Sequence, residues 1–306
     1  SAQVAAGAEA YRQADADAVI GLGGGAALDV AKAVALLAVH EGNIFEYAWD
    51  HPQRRPIKNP LPHFVALPTT SGTGSEVGRS SVISDDTTHV KKIVFAPALL
   101  AKAVFADPEL TLDLPAKITA ATGIDALTHN VESYLSPAYH PLCDGVALEG
   151  VRLAARSLAI AVRDGRNLAA RSDMMMSSLM GAVAFQKDLG AVHSCAHALG
   201  TVLDLHHGLA NGVMLDHVMR FNQTAAPEKF AELAHVSGAG RTPDDFVSWL
   251  TKLKAEIGIP ARLREVNVTR EHFPALIRIA IADTCHRTNP RPCTEADFEQ
   301  LFTAAL

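Results

Sequence analysis

DAVIGLGGGAALDVAKAVALLAVH, residues 17–40, decides how the first part of this chain is read. An apolar run (17–22) with strand character meets three glycines (23–25) and then a helical pattern (26–40). Glycines allow a close approach of the backbone, and a helix N-terminus offers unpaired N–H groups to an anion, so a phosphate fits such a turn. The stretch Gly21-Leu-Gly23-Gly24-Gly25-Ala26 also satisfies the dinucleotide pattern G-x-G-x-x-A, with Glu41 near the distance of a ribose-binding acid. Three consecutive glycines satisfy many templates, however, and a plain strand-to-helix turn remains an open reading.

Outward from this unit, an Ala-rich helix pattern (about 3–14) precedes the strand, and a Pro-containing loop (about 41–61) follows the helix. The runs HFVALPTT (63–70), SSVIS (80–84), KKIVF (91–95) and AKAVFAD (101–107) come next. Strands alternating with helices predict a parallel sheet covered on both faces. PTTSGTGSEVGRSS (68–81) places hydroxyls and glycines directly after a strand, which suits phosphate, ribose or a carboxamide, although any polar loop would look similar. From Pro115 onward helix follows helix, as in AKITAATGIDALTHNVESYL (116–135) and EADFEQLFTAAL (295–306). The expectation is therefore α/β plus all-α: an α/β domain over 1–113 and an all-helical domain over 114–306, with Pro115 at a helix start. The first domain begins on a helix, where an α/β pattern leads one to expect an opening strand.

Length agrees with two domains, since single cores stop growing near roughly 250–300 residues. A net charge of −6 and the absence of a Lys/Arg run exclude an electrostatic footprint for nucleic acid. Arg54 and Arg55 sit in a short Pro-flanked loop and read as solvated. Cys143, Cys195, Cys285 and Cys293 show neither a CxxC nor a disulfide framework, so reduced thiols in a cytoplasmic protein are expected. No signal-peptide pattern opens the sequence, and no apolar run approaches the roughly 20 residues that span a bilayer. Ala- and Leu-rich helices often associate, and a homodimer is expected.

Chemistry concentrates between residues 121 and 208, where Asp125, His129, His193, His197 and His207 read as one metal site drawn from separate helices. Asp125 and His129 are four apart, as are His193 and His197, and residues four apart share a helix face. Spacing alone favours His193–His197 as the double-imidazole pair. Ser194 stands where H-E-x-x-H carries its Glu, so the general base of a zinc protease is missing. Oxygen and imidazole donors without thiolate suit Fe(II), Zn(II), Ni(II) or Mn(II), and a divalent cation would act as a Lewis acid. Cys195 and the remaining histidines, His140, His217, His235 and His272 among them, read as packing or surface residues.

These stretches resemble the iron-containing (group III) alcohol dehydrogenases over nearly the whole chain. GLGGGAALDVAK is similar to that family's GGGS-x-x-D-x-x-K loop, and ALPTTSGTGSEV to its PTT-x-GTGSE segment. VFADPELTLDLPAKITAATGIDALTHNVESY and FQKDLGAVHSCAHALG with HHGLANGVMLDHVMRFN resemble its two metal-binding stretches, and TNPRP its C-terminal segment. The resemblance implies a Rossmann-like dinucleotide-binding domain, here without its first βαβ units, and a helical metal-binding domain. It implies Asp125, His129, His193 and His207 as ligands of Fe2+ (Zn2+ or another divalent ion in its place). His197 becomes a catalytic, non-ligand residue near substrate and nicotinamide. For NAD or NADP it implies Gly24, Gly25 and Ala26 at the pyrophosphate, Thr69, Thr70 and Thr73 on the nicotinamide side, and Lys91, Leu110 and Thr111 along the ribose.

Two residues depart from the family pattern. Ala26 stands where a Ser is usual, deleting a hydroxyl donor worth roughly 1.5–3 kcal/mol to a charged group, and Ala198 replaces a common Pro. The residue that reads the ribose 2′ position belongs to the units not represented here, so NAD and NADP are not distinguished. The implied reaction is reversible hydride transfer between a small primary alcohol or diol and the cofactor, giving the aldehyde. A glycerol-type dehydrogenase or sugar-phosphate cyclase of the same architecture is the near alternative. A non-catalytic metal- or nucleotide-binding protein is the distant one.

Overall fold

The computed structural model describes residues 1–87 and 91–306 and divides into two compact units, Ser1–Thr111 and Leu112–Leu306. In the first unit, α1 (Ala2–Gln13) leads to β1 (Ala18–Gly23) and α2 (Gly25–Ala38), then to β2 (His63–Pro68), β3 (Ser80–Ser84), β4 (Lys91–Phe95) and the short β5 (Ala103–Val104). A parallel sheet takes the order β1-β2-β5, with Ala18 opposite His63 and Val65 opposite Ala103. The strand–glycine–helix unit thus forms as its sequence pattern requires. Leu28, Ala33, Leu36 and Leu37 of α2 are buried, and Gly21 of β1 lies so close that a Cβ there would meet Ala31 at 2.9 Å.

Two expectations are corrected. SSVIS and KKIVF do not join the parallel sheet; β3 and β4 pair with each other, antiparallel, with Ser80 opposite Phe95 and Ser84 opposite Lys91. Only residues 85–90 separate them, and a parallel crossover needs a dozen or more. The parallel sheet is also covered on one face rather than both at β1, where Ile20 and Leu22 are 68% and 59% exposed.

The second unit is helical throughout: α3 (Ala116–Leu135), α4 (Pro141–Arg163), α5 (Leu168–Ala184), α6 (Ala191–Leu203), α7 (His207–Asn222), α8 (Pro227–Val236), α9 (Pro243–Glu256), α10 (Phe273–Ala282) and α11 (Glu295–Ala305). Sequence punctuation sets several of the ends. Thr242 with Asp245, and Thr294 with Asp297, form capping boxes, and the Asn167 side chain accepts from Ala170 N. Helix α3 is the axis of this unit, and every residue from Thr119 to Leu135 is buried. A helix buried on all sides ordinarily has no polar face, yet α3 carries Asp125, His129, Asn130 and Glu132. No helix among the described residues is long and apolar enough to cross a membrane.

Candidate metal centre and cofactor loops

One turn of α3 separates Asp125 from His129, so both project from one face. His193 joins them from the first turn of α6, and His207 is the first residue of α7. Asp125 Oδ1 lies 3.9 Å from His129 Nε2, 3.9 Å from His193 Nε2 and 3.5 Å from His207 Nε2. Ligands bonded at about 2.0–2.2 Å to one tetrahedral cation would stand about 3.4 Å apart, so these separations suit a shared divalent ion. The donor set agrees, being one carboxylate and three imidazoles all within 4.8 Å of one another. His129 is buried; its Nε2 faces Asp125, and its other ring nitrogen, Nδ1, has no hydrogen-bond partner among the described residues. Asp125, His129 and His193 are buried, and His207 is partly exposed, which gives the cage one open side.

A supporting layer holds these donors. Glu132 Oε2 lies 2.6 Å from His193 Nδ1, while its Oε1 accepts from Val192 N at 2.7 Å. The carboxylate therefore fixes the ring of His193 and directs Nε2 into the cage. Burial pushes the Glu132 carboxyl up to about 8, opposed by the amides of Val192, Gly190 and His193. A divalent charge one imidazole away acts in the same sense as those amides. Burial, with His129, His207 and His197 nearby, pushes His193 well down, which favours the neutral imidazole that binds metals. Asn211, one turn beyond His207, donates from Nδ2 to Asp125 Oδ1 at 2.7 Å.

Glu132 and Asn211 were not singled out from sequence. Both carry a signal nonetheless: Glu132 is three residues after His129 and seven after Asp125, and Asn211 is four after His207.

His197 lies outside the cage. Its Nδ1 is 2.8 Å from Asp283 Oδ2, and its ring stacks on that of His207 at 5.4 Å. The spacing-only pairing of His193 with His197 as ligands is therefore not what the fold assembles. His206 is the N-cap of α7, its Nδ1 accepting from Leu209 N, and this turns His207 rather than His206 toward Asp125.

In the first unit, Gly24 is the N-cap of α2, Gly25 begins the helix, and Ala26 is exposed. The 68–81 loop lies against this turn. Thr69 N donates to Gly23 O at 3.0 Å, and a Cβ on Gly24 would meet Thr70 Cγ2 at 3.2 Å. A Cβ on Gly25 would meet Thr73 Oγ1 at 2.6 Å, so only glycine lets the two loops touch there. Leu110 is exposed, whereas Thr111 is buried with its hydroxyl donating to Pro108 O at 2.7 Å. Lys91 is exposed at the start of β4, in the antiparallel pair rather than in the sheet that carries the glycine turn. Glu41 follows α2, whose 14 residues span about 21 Å, and so stands at the far end of the helix from the glycines.

Against the loops lies a largely buried charge cluster of Asp29, Lys32 and Glu76. Lys32 Nζ donates to Ser75 O (2.6 Å), Ser75 Oγ (2.9 Å) and Ser80 O (2.8 Å). Asp29 accepts from Ser75 Oγ at 2.6 Å and Val82 N at 3.0 Å. Burial pushes Lys32 down and Asp29 up, and their mutual attraction opposes both. Glu76, 1% exposed with Oε1 unpartnered, is pushed up by burial to about 6.

A glycine turn on a parallel sheet, joined in one chain to a helical unit with a carboxylate–imidazole cage, defines a metal-dependent dehydrogenase architecture. Residues 1–108 match the model of the iron-containing alcohol dehydrogenases, and residues 119–306 match that of the Fe-containing alcohol dehydrogenase family, C-terminal part. The chain belongs to the iron-containing alcohol dehydrogenase family, and it is an oxidoreductase of the alcohol dehydrogenase type. It is 39% identical to the 4-hydroxybutyrate dehydrogenase of Cupriavidus necator, across 100% of this chain and 82% of that protein. The crystal structure of a 1,3-propanediol oxidoreductase superposes with a TM-score of 0.94 at 38% identity, covering 99% of this chain and 80% of that one. Sulfoacetaldehyde reductase from Bifidobacterium kashiwanohense, solved in complex with NAD+, superposes with a TM-score of 0.89 at 31% identity, covering 99% and 79%.

Proposed function

We propose that this chain interconverts a short primary alcohol, bearing a second polar group, with its aldehyde, using NAD or NADP and an iron(II) ion. Asp125, His129, His193 and His207 would hold the ion, with Zn2+ or another divalent metal able to take its place. The convergence of these four side chains from three helices, braced by Glu132 and Asn211, carries the reading. The substrate class is supported by the relatives, whose names specify 4-hydroxybutyrate and 1,3-propanediol.

The bound metal supplies Lewis-acid chemistry, and the nicotinamide supplies a hydride acceptor. The chain's own groups do the rest. Glu132 and Asn211 keep His193 and Asp125 in place. Burial of three of the four donors keeps water away from all but the His207 side. Backbone amides at Gly24 and Gly25 suit a diphosphate at the start of α2, and the Thr69, Thr70 and Thr73 side suits the carboxamide. His197, next to the cage, is the group for taking up the hydroxyl proton, since an imidazole nitrogen can accept one.

Anaerobic metal analysis paired with an alcohol panel in NAD and in NADP tests this. His193→Ala and His207→Ala should each lose both metal and activity. Full metal retention in either variant would remove that residue from the ligand set. No alcohol-dependent NAD(P)H formation by the Fe2+-loaded protein would overturn the activity.

A further inference from the structure

Asp283 directly follows α10, far in sequence from any residue of the cage, yet its carboxylate is fully engaged beside it. Oδ1 accepts from Ser194 Oγ and from Cys285 N, each at 2.8 Å, and Oδ2 lies 2.8 Å from His197 Nδ1. Ser194 Oγ itself accepts from His286 N at 2.9 Å, so the hydroxyl hydrogen is committed to Asp283. We infer that Asp283 is a positioning residue that fixes His197 as its Nδ1–H tautomer, leaving Nε2 as the ring nitrogen free to accept a proton. This rests on the proposed role of His197 in the dehydrogenase reaction.

The chemistry follows from donor counting. An ionised carboxylate can only accept, so the nitrogen facing it must carry the hydrogen. Burial pulls the Asp283 carboxyl up, but the bonds from His197, Ser194 and the Cys285 amide outweigh it and hold the group well below the usual carboxylate range. Asp283 therefore stays an acceptor at neutral pH. The two ring nitrogens of a histidine are distinguished by the bond that one of them makes, and here that bond comes from a side chain 86 positions away.

Asp283→Asn makes a directional test. Two donors, Ser194 Oγ and Cys285 N, converge on the Oδ1 position, so the amide oxygen of Asn should settle there. Its NH2 group then faces His197 Nδ1, which must become the acceptor, and the hydrogen moves to Nε2. Nitrogen-15 histidine spectra of the zinc-loaded protein, with the His197 signals assigned by their loss in His197→Asn, read the tautomer directly. Wild type should show Nδ1–H and Asp283→Asn should show Nε2–H, while Ser194→Ala should keep the wild-type tautomer.

Asp283→Asn should also lower kcat by about 100-fold with metal content and NADH affinity unchanged, and add little to the loss in His197→Ala. A wild-type tautomer in Asp283→Asn, or fully additive losses in the double variant, would overturn the inference. If His197→Ala instead kept the wild-type rate while Asp283→Asn switched the tautomer, the positioning role would stand and the proton-carrying role of His197 would fall. Should Asp283→Asn misfold, Asp283→Glu supplies a second test: an accepting carboxylate should restore the Nδ1–H signal, and failure to do so in a folded protein counts against the inference.

Discussion

Gly208 is where packing of the helical unit and geometry of the cage meet in one atom. It follows His207 at the start of α7, and a Cβ built on it would lie 2.1 Å from Ala121 O, 2.8 Å from Ala121 C and 3.3 Å from Asp125 Cβ. The first two are backbone atoms of α3 and cannot rotate aside. An ordinary carbon–oxygen contact of about 3.2–3.3 Å would require the start of α7 to retreat by about 1 Å. His207 would move with it, away from an Asp125 oxygen now 3.5 Å from its Nε2. Metal–ligand bonds tolerate about 0.2 Å, so Gly208→Ala should weaken metal affinity at least tenfold to a hundredfold.

Stability sharpens the test, because intrinsic propensity predicts the opposite sign. Replacing a helical Gly by Ala favours the helix by up to ~1 kcal/mol where space allows. Overpacking costs typically ~1–3 kcal/mol. Gly145 in α4, with nothing within 4 Å of its ideal Cβ, is the internal control. Gly145→Ala should stabilise slightly, whereas Gly208→Ala should destabilise by ~1–3 kcal/mol. Metal per chain after dialysis against graded chelator, and urea unfolding of the metal-free protein, measure the two effects. Wild-type metal retention together with a raised unfolding midpoint in Gly208→Ala would refute the argument.

Two further outcomes follow from the cluster against the cofactor loops. The Glu76 carboxyl is raised from 4.5 to about 6, so its favourable contribution is complete below pH 4.5 and is lost as pH rises through 6; the shift corresponds to about 2 kcal/mol. Unfolding measured from pH 4.5 to 7.5 should show Glu76→Gln gaining about 2 kcal/mol on wild type across that interval, and a flat difference would contradict the burial argument. Lys32→Met removes the donor to Ser75 O, Ser75 Oγ and Ser80 O, and leaves Asp29 without its buried counter-charge. It should cost ~3–5 kcal/mol and weaken NADH binding in a fluorescence titration, because the loop carrying Thr73 is tied down through Ser75; wild-type affinity in a folded Lys32→Met would show that the clamp does not shape the loop.

Local pattern made much of this legible in the sequence. The helix expected over 116–135 is the helix observed, and the strand, three glycines and helix of 17–40 fold within a residue or two of their reading. Periodicity failed where the answer depends on connection length: SSVIS and KKIVF look like further parallel strands until the six residues between them are counted. His206 and His207 are identical in residue type, and what separates them is the capping of α7, a property of the fold. Lys32 closes the GLGGGAALDVAK stretch, and no local pattern tells that it is buried and bonded to backbone carbonyls of a loop more than forty residues on. Asp283 was beyond reach, since no sequence period links a residue after α10 to one in α6.

The common physical thread is that α3 carries its charge where a helix should carry none. Seventeen consecutive buried residues include Asp125, His129 and Glu132, and burying such groups is costly unless each finds a partner. Glu132 is matched by His193 and by the amides that open α6, and Asp125 by the Asn211 amide. Asp125 faces the Nε2 atoms of three imidazoles at 3.9, 3.9 and 3.5 Å, and Asn211 Nδ2 lies 3.3 and 3.2 Å from those of His193 and His207. Side chains from α3, α6 and α7 thus turn four donor atoms toward one another, an arrangement that suits a shared positive charge. The same cation that would supply Lewis acidity would also neutralise the one buried carboxylate that the helices leave facing inward. That dual demand explains why the chain places a polar face on its most deeply buried helix.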